Sequence, residues 1–594
     1  MLVWRSRPLT RSKLLLAVPR RFFTDDASSP PSTPRPPLPL TSLAAMDVTR
    51  HNFAEALVDL EKQLALPSCR FVAIDTEFTG LTPSEFTREK VIDTLEERYA
   101  KVRSSGENFL ITQFGVALVH VADSIDVEDE AKTWISCWNF YVFPRPYQNV
   151  DARFLCQASS MQFMAEHGFD FNKFIRDGIP YLSRKSELSV RRSHEKSIAN
   201  LGKSPPEKIT VGRHFDKLFL TETVERIDTW LADSASADAS SPAELFISAR
   251  NSFRRLLVLH AARFLSTHPD AKSLYMETND NGVRLIRTSS AVERDSLKKR
   301  KIDAMNQDVE AAIGFSKVIQ LLGKSNKPVV GHNCLLDFVY LFHQFVGPLP
   351  PTLVQFKLQL GKAFPAIFDT KHLAMMSPVR DQFESTSLSA MFEYMRDHLA
   401  LDVSTLVSPD TSSSYHHALK KPSADAAAMP CHEAGFDALM TAIVHLGFTS
   451  LSANGWSTDL PLDLRTDFRN LSLYENRINL MVVDRPSYLD VGDVDQELDR
   501  RHVYVLSGDA AALKEARPDD MFAASRVNRV VREDKETYVF LSEPVQGDLP
   551  THPHLVVSPF AEYIKATAKK NEPKYDDQDK ADDAAPPARW CTIQ

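Results

Sequence analysis

Four carboxylates and one histidine in this sequence have the types and spacing to hold metal and move a proton. Asp75 and Glu77 flank Thr76, and residues i and i+2 of a strand project to one face. Two carboxylates placed in this way, just before the turn at Gly80, can share a divalent ion. Alone, the same pattern also describes a solvated strand end. Asp337 changes that reading, because it lies in the apolar text GHNCLLDFVYLF. A lone carboxylate in such a helix is costly unless it is paired, protonated or bound to metal. Asp437, in HEAGFDALMTAIVHLGF, is in the same position. Together they offer oxygen donors and no thiolate, which suits Mg²⁺ or Mn²⁺ rather than zinc. His432 precedes Asp437 by five positions, a spacing that subtends about 140° on a regular helix. The pair therefore does not share a face, and His432 is expected at the frayed helix entrance, reaching into the cleft from its rim.

The elements that must position these residues follow from the pattern of apolar and polar text. Arg70–Thr79, Leu110–Val121 and Trp134–Phe143 read as strands rich in β-formers, and Ser159–His167 as a capped helix. A basic stretch follows over 182–213, broken by Pro205-Pro206, and then a helical unit with Phe215–Leu231 and Ala243–Thr267. Lys298–Lys301 closes it as a basic cluster. Pro328–Val330 and Ala366–Leu373 read as strands, and Cys334–Phe345 and His432–Phe448 as buried helices. Strands at Arg501–Leu506 and Thr537–Leu541 mark a smaller C-terminal unit, whose Tyr504, Tyr538 and Phe540 are base-stacking candidates or core. The order implies one α/β domain, split over 46–182 and 308–452 by an insertion at 183–307. A second unit covers 470–565, and the tail 566–594 is expected to be disordered.

Composition narrows the classes. At 594 residues the chain is too long for one core, and its net charge of −8 excludes a basic nucleic-acid coat. Any nucleic-acid affinity would then have to come from local patches or from a metal site that neutralises phosphate. Six cysteines without a C-x-x-C pair argue against a disulfide framework and a zinc knuckle. No run is expected to reach the roughly 18 apolar residues of a membrane span. Residues 1–22 are Arg-rich and free of acids, as in a mitochondrial presequence. With the Ser/Pro-rich text over 23–42 they belong to an expected targeting extension, residues 1–45, so the mitochondrial matrix is the expected location. Lys298–Lys301 offers the alternative of nucleus and cytoplasm. Cys591-Thr592-Ile593-Gln594 has the form of a prenylation box, but acidic rather than basic residues precede it.

FVAIDTEFTGL, GHNCLLDF and HEAGFD resemble, in order, the three motifs of DEDDh exonucleases. NFYVFPRPY, SSMQFMAEHGFDFNKFIRDGIPYL, HQFVGPLP and FDTKHLA extend the resemblance to the poly(A)-specific ribonuclease family of deadenylases, from Met46 to about residue 565. The resemblance implies an α/β, RNase-H-like mixed sheet with helices on both faces. It further implies a small helical insertion of the arginine-three-residues-histidine type and an RNA-recognition-motif-like domain. It implies 3′→5′ exoribonuclease activity that removes poly(A) tails and releases 5′-AMP, with single-stranded RNA as partner and a homodimer as assembly. In the two-metal scheme Asp75 bridges two Mg²⁺ ions, for which Mn²⁺ can substitute. Glu77 and Asp437 complete the site of the attacking water, Asp337 holds the second ion, and His432 takes the proton. Phe78, Leu81, Asn333 and Lys371 are implied to line the terminal nucleotide pocket. Adenine preference rests on the resemblance alone. Two departures stand out: Arg255 and His260 are separated by four residues rather than three, and Ala516 occupies the position of the cap-binding tryptophan. Alternatives are trimming of the 3′ ends of small or structured RNA, or an inactive RNA-binding scaffold.

Overall fold

The apolar strand text around Asp75 becomes the centre of an eight-stranded mixed sheet. The computed structural model describes residues 46–121, 133–201, 203–233, 244–399, 403–407, 415, 419, 430–457, 468–495, 498–523, 525–533 and 535–571. The N-terminal extension and residues 572–594, with Cys591, lie outside them, whereas residues 566–571, expected to be disordered, continue the helix Phe560–Asn571. Strands β1 (Met46–Val48), β2 (Cys69–Phe78), β3 (Ile111–Val121) and β4 (Thr133–Tyr141) come first, followed by helix α1 (Ala158–Glu166). The insertion holds α2 (His214–Asp233), β5 (Glu244–Ser248), α3 (Ser252–His260), β6 (Tyr275–Asn279) and β7 (Gly282–Ile286). The chain returns through β8 (Val329–Gly331), α4 (Leu335–Leu341), β9 (Ile367–Asp369), α5 (Thr370–Met376) and α6 (Ala434–Ala453). Next come β10 (Arg477–Asn479), β11 (Tyr488–Asp490), β12 (Val503–Gly508), β13 (Val527–Arg532), β14 (Glu536–Leu541), β15 (Leu555–Pro559) and α7 (Phe560–Asn571).

The main sheet runs β1-β4-β3-β2-β8-β9-β10-β11. β3 is antiparallel to β2 and β4, whereas β8 and β9 lie parallel to β2. The five inner strands thus take the RNase-H-like order, with the second strand reversed. Each face carries its own core. Val72, Ile74 and Phe114 pack against Phe338, Val339 and Phe315 on one side. Phe71, Ala73 and Ala117 pack against α6 on the other. Period-2 alternation along β2 therefore sends Asp75 and Glu77 towards α6 and Thr76 towards α4.

Several expectations need correction. α6 passes the length and composition test for a membrane span (20 residues, mean hydropathy 1.3) against the expected lack of such a run, but residues 434–451 are buried in the protein and include Asp437. The insertion is not purely helical: β5, β7 and β6 form an antiparallel sheet. The two-residue turn Asp280-Asn281 closes its hairpin, a signal that the helical periodicity nearby obscured. Arg255 donates to the carbonyls of Arg250 and Asp280, and buried His260 bonds the Pro206 carbonyl at 3.0 Å. Both residues hold the insertion together. Ala366–Leu373 is a strand only to Asp369, because that side chain accepts from the Lys371 and His372 amides and starts α5.

The boundary at 470 also moves. β10 pairs with the open edge of β9, and Ile478, Leu480 and Leu489 bury in the nuclease core, so both strands belong to the main sheet. The remaining C-terminal sheet has the order β13-β14-β12-β15. Its aromatics are core rather than free stacking platforms. Tyr504 packs with Phe522 and Leu513 on one face. Tyr538 and Phe540 pack with Val91 on the other, where Ile92 and Phe560 of α7 cover them.

Candidate active site

Three parallel strands end side by side, and the loops after them carry most of the predicted residues. Sites in open α/β sheets form at such carboxyl ends. β2 ends on Asp75-Thr76-Glu77, β8 leads to Asn333 and Asp337, and β9 leads to Lys371. α6 brings Asp437 from the opposite direction, one turn inside its N-terminus. One oxygen each of Glu77 and Asp437 and one ring nitrogen of His432 lie within 4.8 Å of one another. Asp337 accepts a hydrogen bond from the Thr76 hydroxyl, so the middle residue of Asp-Thr-Glu ties α4 to β2.

The electrostatics are those of an anionic cluster without a counter-charge. Asp337 and Asp437 are each only 8% exposed, and among the described residues none of the four carboxylates forms an ion pair. Burial holds Asp75 well above the ordinary carboxylate range, and the charges of Asp437, Asp337 and Glu77 push it further. Glu77 is raised for the same reasons, by burial first and then by Asp437 and Asp337. Burial pushes Asp337 and Asp437 up to about 7. Such a site is expensive when ionised and empty. A hard divalent cation relieves both the desolvation and the mutual repulsion, so the residues present fit Mg²⁺ or Mn²⁺.

His432 stands outside the helix, as the spacing requires. Its backbone takes a left-handed φ of 68°, and its amide donates to both Asp437 oxygens at 3.3 Å. Burial, then His167, lowers its pKa. Neighbouring Glu433 is fastened by the Tyr415 hydroxyl and by Asn139 Nδ2 at 3.2 Å.

The four expected nucleotide-pocket residues fall into two groups. Phe78 is half-buried against Tyr340, with ring centroids 4.3 Å apart, while Leu81 is 47% exposed and its amide donates to Gln157. Asn333 and Lys371 are joined through Asp369. That buried carboxylate accepts from the amides of Asn333 (2.8 Å), Lys371 (2.9 Å) and Asn479 (2.9 Å). Lys371 Nζ donates to the Thr386 carbonyl at 2.6 Å, and it lines a cavity of about 360 Å³ with Asn479 and Arg380.

Asp369, Asn479, Thr76, Glu433, Phe163 and His167 escaped sequence reasoning, because what they touch is distant in the chain. Asp369 alone left a signal, as a capping residue before a helical run. Gly115 also escaped. It pairs with Asp75 across the sheet, and a Cβ there would lie 1.8 Å from the Ala434 carbonyl. Only glycine lets the start of α6 descend onto the strand and place Asp437 beside Asp75. Gly115→Ala is expected to cost about 1–3 kcal/mol of stability as an overpacked contact. Urea denaturation checks this, and an unchanged midpoint would refute the close-approach argument.

Known proteins share this text and order. Poly(A)-specific ribonuclease PARN of Danio rerio is 29% identical over 551 residues, spanning 88% of this chain and 78% of that one. The pre-piRNA 3′-exonuclease trimmer of Bombyx mori is 27% identical over 386 residues, spanning 63% and 68%. Among solved structures, Pop2p of S. pombe, in a Mg²⁺- and Mn²⁺-bound form, aligns with 69% of this chain and 93% of its own at 14% identity and a TM-score of 0.31. The model of the CAF1 family ribonucleases matches residues 48–445, from β1 into α6. That span holds the whole carboxylate cluster, and so the chain belongs to the CAF1 family of ribonucleases.

Proposed function

We propose that the protein is a divalent-metal-dependent 3′→5′ exoribonuclease that shortens poly(A) and releases 5′-AMP. One observation carries this reading: two buried and two half-buried carboxylates, with no ion-paired cation among the described residues, converge near His432 where parallel strands end. Asp75, Glu77, Asp337 and Asp437 are the residues to hold two Mg²⁺ or Mn²⁺ ions. When bound, such ions neutralise the scissile phosphate and lower the pKa of the attacking water. The chain's own residues do the rest. His432 accepts the proton of that water, its lowered pKa keeping the ring neutral and ready at pH 7. Thr76 orients the Asp337 carboxylate. Phe78 and Leu81 offer one wall for the terminal nucleotide, and Asn333 and Lys371 the polar other.

Poly(A) as substrate rests on the resemblance to the poly(A)-specific ribonucleases. Comparing 5′-labelled A₂₀, U₂₀ and dA₂₀ with Mg²⁺ on one gel tests it. Shortening of A₂₀ well ahead of U₂₀ and dA₂₀ is expected; equal rates on A₂₀ and U₂₀ would move the reading to general 3′-end trimming. Cleavage of A₂₀ by Asp337→Ala at the wild-type rate would overturn the metal site itself. The C-terminal sheet order fits an RNA-recognition-motif-like domain, and the insertion one of the arginine-histidine type. Residues 1–45 are assigned to mitochondrial import. A fluorescent fusion of that segment that stays diffuse would overturn the import assignment. Homodimerisation is part of the same proposal, and light scattering of the full chain tests it.

A further inference from the structure

His432 lacks what usually orients a catalytic imidazole. A base is normally aimed by a third group that bonds its other ring nitrogen. Among the described residues, the protein hydrogen bonds of His432 come only from its backbone amide. Its ring is instead held by rings. Phe163 meets it edge-on with centroids 4.7 Å apart, and His167 does so at 4.4 Å. Phe163 lies in α1 and His167 directly follows it, while one ring nitrogen of His432 lies within 4.8 Å of an oxygen of Glu77 and of Asp437. His167 is fixed in turn: Nδ1 bonds the Phe163 carbonyl at 2.8 Å, and its ring packs on Phe163 at 4.2 Å. The exposed imidazole of His432 thus touches two rings and lies close to two carboxylates. Its left-handed backbone, disfavoured for a residue with a Cβ, is tied only through the amide to Asp437 among the described residues.

We infer that His167 is a positioning residue for the nuclease reaction, holding the His432 ring against the carboxylates in the orientation that accepts the proton. This rests on the assignment of His432 as the base. Edge-to-face packing needs a ring and not a charge, so the role belongs to the shape of His167.

Steady-state kinetics on A₂₀ with Mg²⁺ test this with wild type, His167→Ala, His167→Phe and His432→Ala, melting temperatures being matched first. His432→Ala should lose about 10²–10⁴-fold in kcat, the usual worth of a general base. His167→Ala should lower kcat about tenfold with KM within about twofold, as loss of near-attack geometry does. His167→Phe should recover kcat to within about threefold of wild type, since a ring is restored. Wild-type kcat in His167→Ala, or a loss confined to KM, overturns the inference while leaving the base intact. Failure of His167→Phe to rescue overturns it too. Full activity in His432→Ala would instead sink the base assignment and this inference with it.

Discussion

Asp75→Asn should abolish turnover while leaving the metal-free protein more stable than wild type. The carboxylate sits at the crossing of all the site's charges, since Asp437, Asp337 and Glu77 each raise its pKa on top of burial. Replacing it with the isosteric amide removes one of the carboxylates that would hold the metal. Losing several kcal/mol of transition-state stabilisation corresponds to about a thousandfold or more in rate. The same change removes one buried like charge, which should stabilise the empty site by about 1–3 kcal/mol. Single-turnover decay of A₂₀ reads the first effect, and urea denaturation in EDTA the second. A variant that is inactive and also less stable would mean that Asp75 supports the fold rather than the ions.

Metal-free protein should lose stability at this site as pH rises from about 4 to about 7. Unfolded carboxylates titrate near 4, whereas Asp337 and Asp437 are pushed up to about 7 in the folded chain. Between those values the folded state binds more protons than the unfolded one, so stability falls as pH rises. The contribution is fully present below the unfolded pKa and is gone above the folded one. Buried neutral histidines work in the opposite direction: burial lowers His332 and His445 to about 3, and they favour the folded state as pH rises. The informative quantity is therefore the gain in melting temperature on adding Mg²⁺ to EDTA-treated protein. Metal displaces protons from its ligands, so that gain should grow from pH 5 to pH 7.5, by the equivalent of about 3 kcal/mol or more. A Mg²⁺ effect that does not depend on pH would show that these carboxylates are already ionised before the ion arrives.

Gly115 and His167 show why part of the site could not be read along the chain. Each matters through a contact with the start of α6, more than 260 positions away. A glycine in an apolar strand, or a histidine closing a helix, has many ordinary explanations. The sheet register removes them by setting Gly115 opposite Asp75 and under Ala434. The covered aromatics of the last sheet show the same limit. Tyr538 and Phe540 have the residue types of a stacking platform, but Val91 and α7 occupy that face.

The carboxylates themselves were legible in the sequence. Asp337 and Asp437 stand in text too apolar to tolerate an unpaired charge, and that cost holds whatever the fold. Strand alternation likewise puts Asp75 and Glu77 on one side. The tertiary structure decided which side that is, that Thr76 reaches back to Asp337, and that no cation among the described residues answers the cluster. Local patterns record what a residue costs to bury. Only the packing of strands and helices decides what lies beside it.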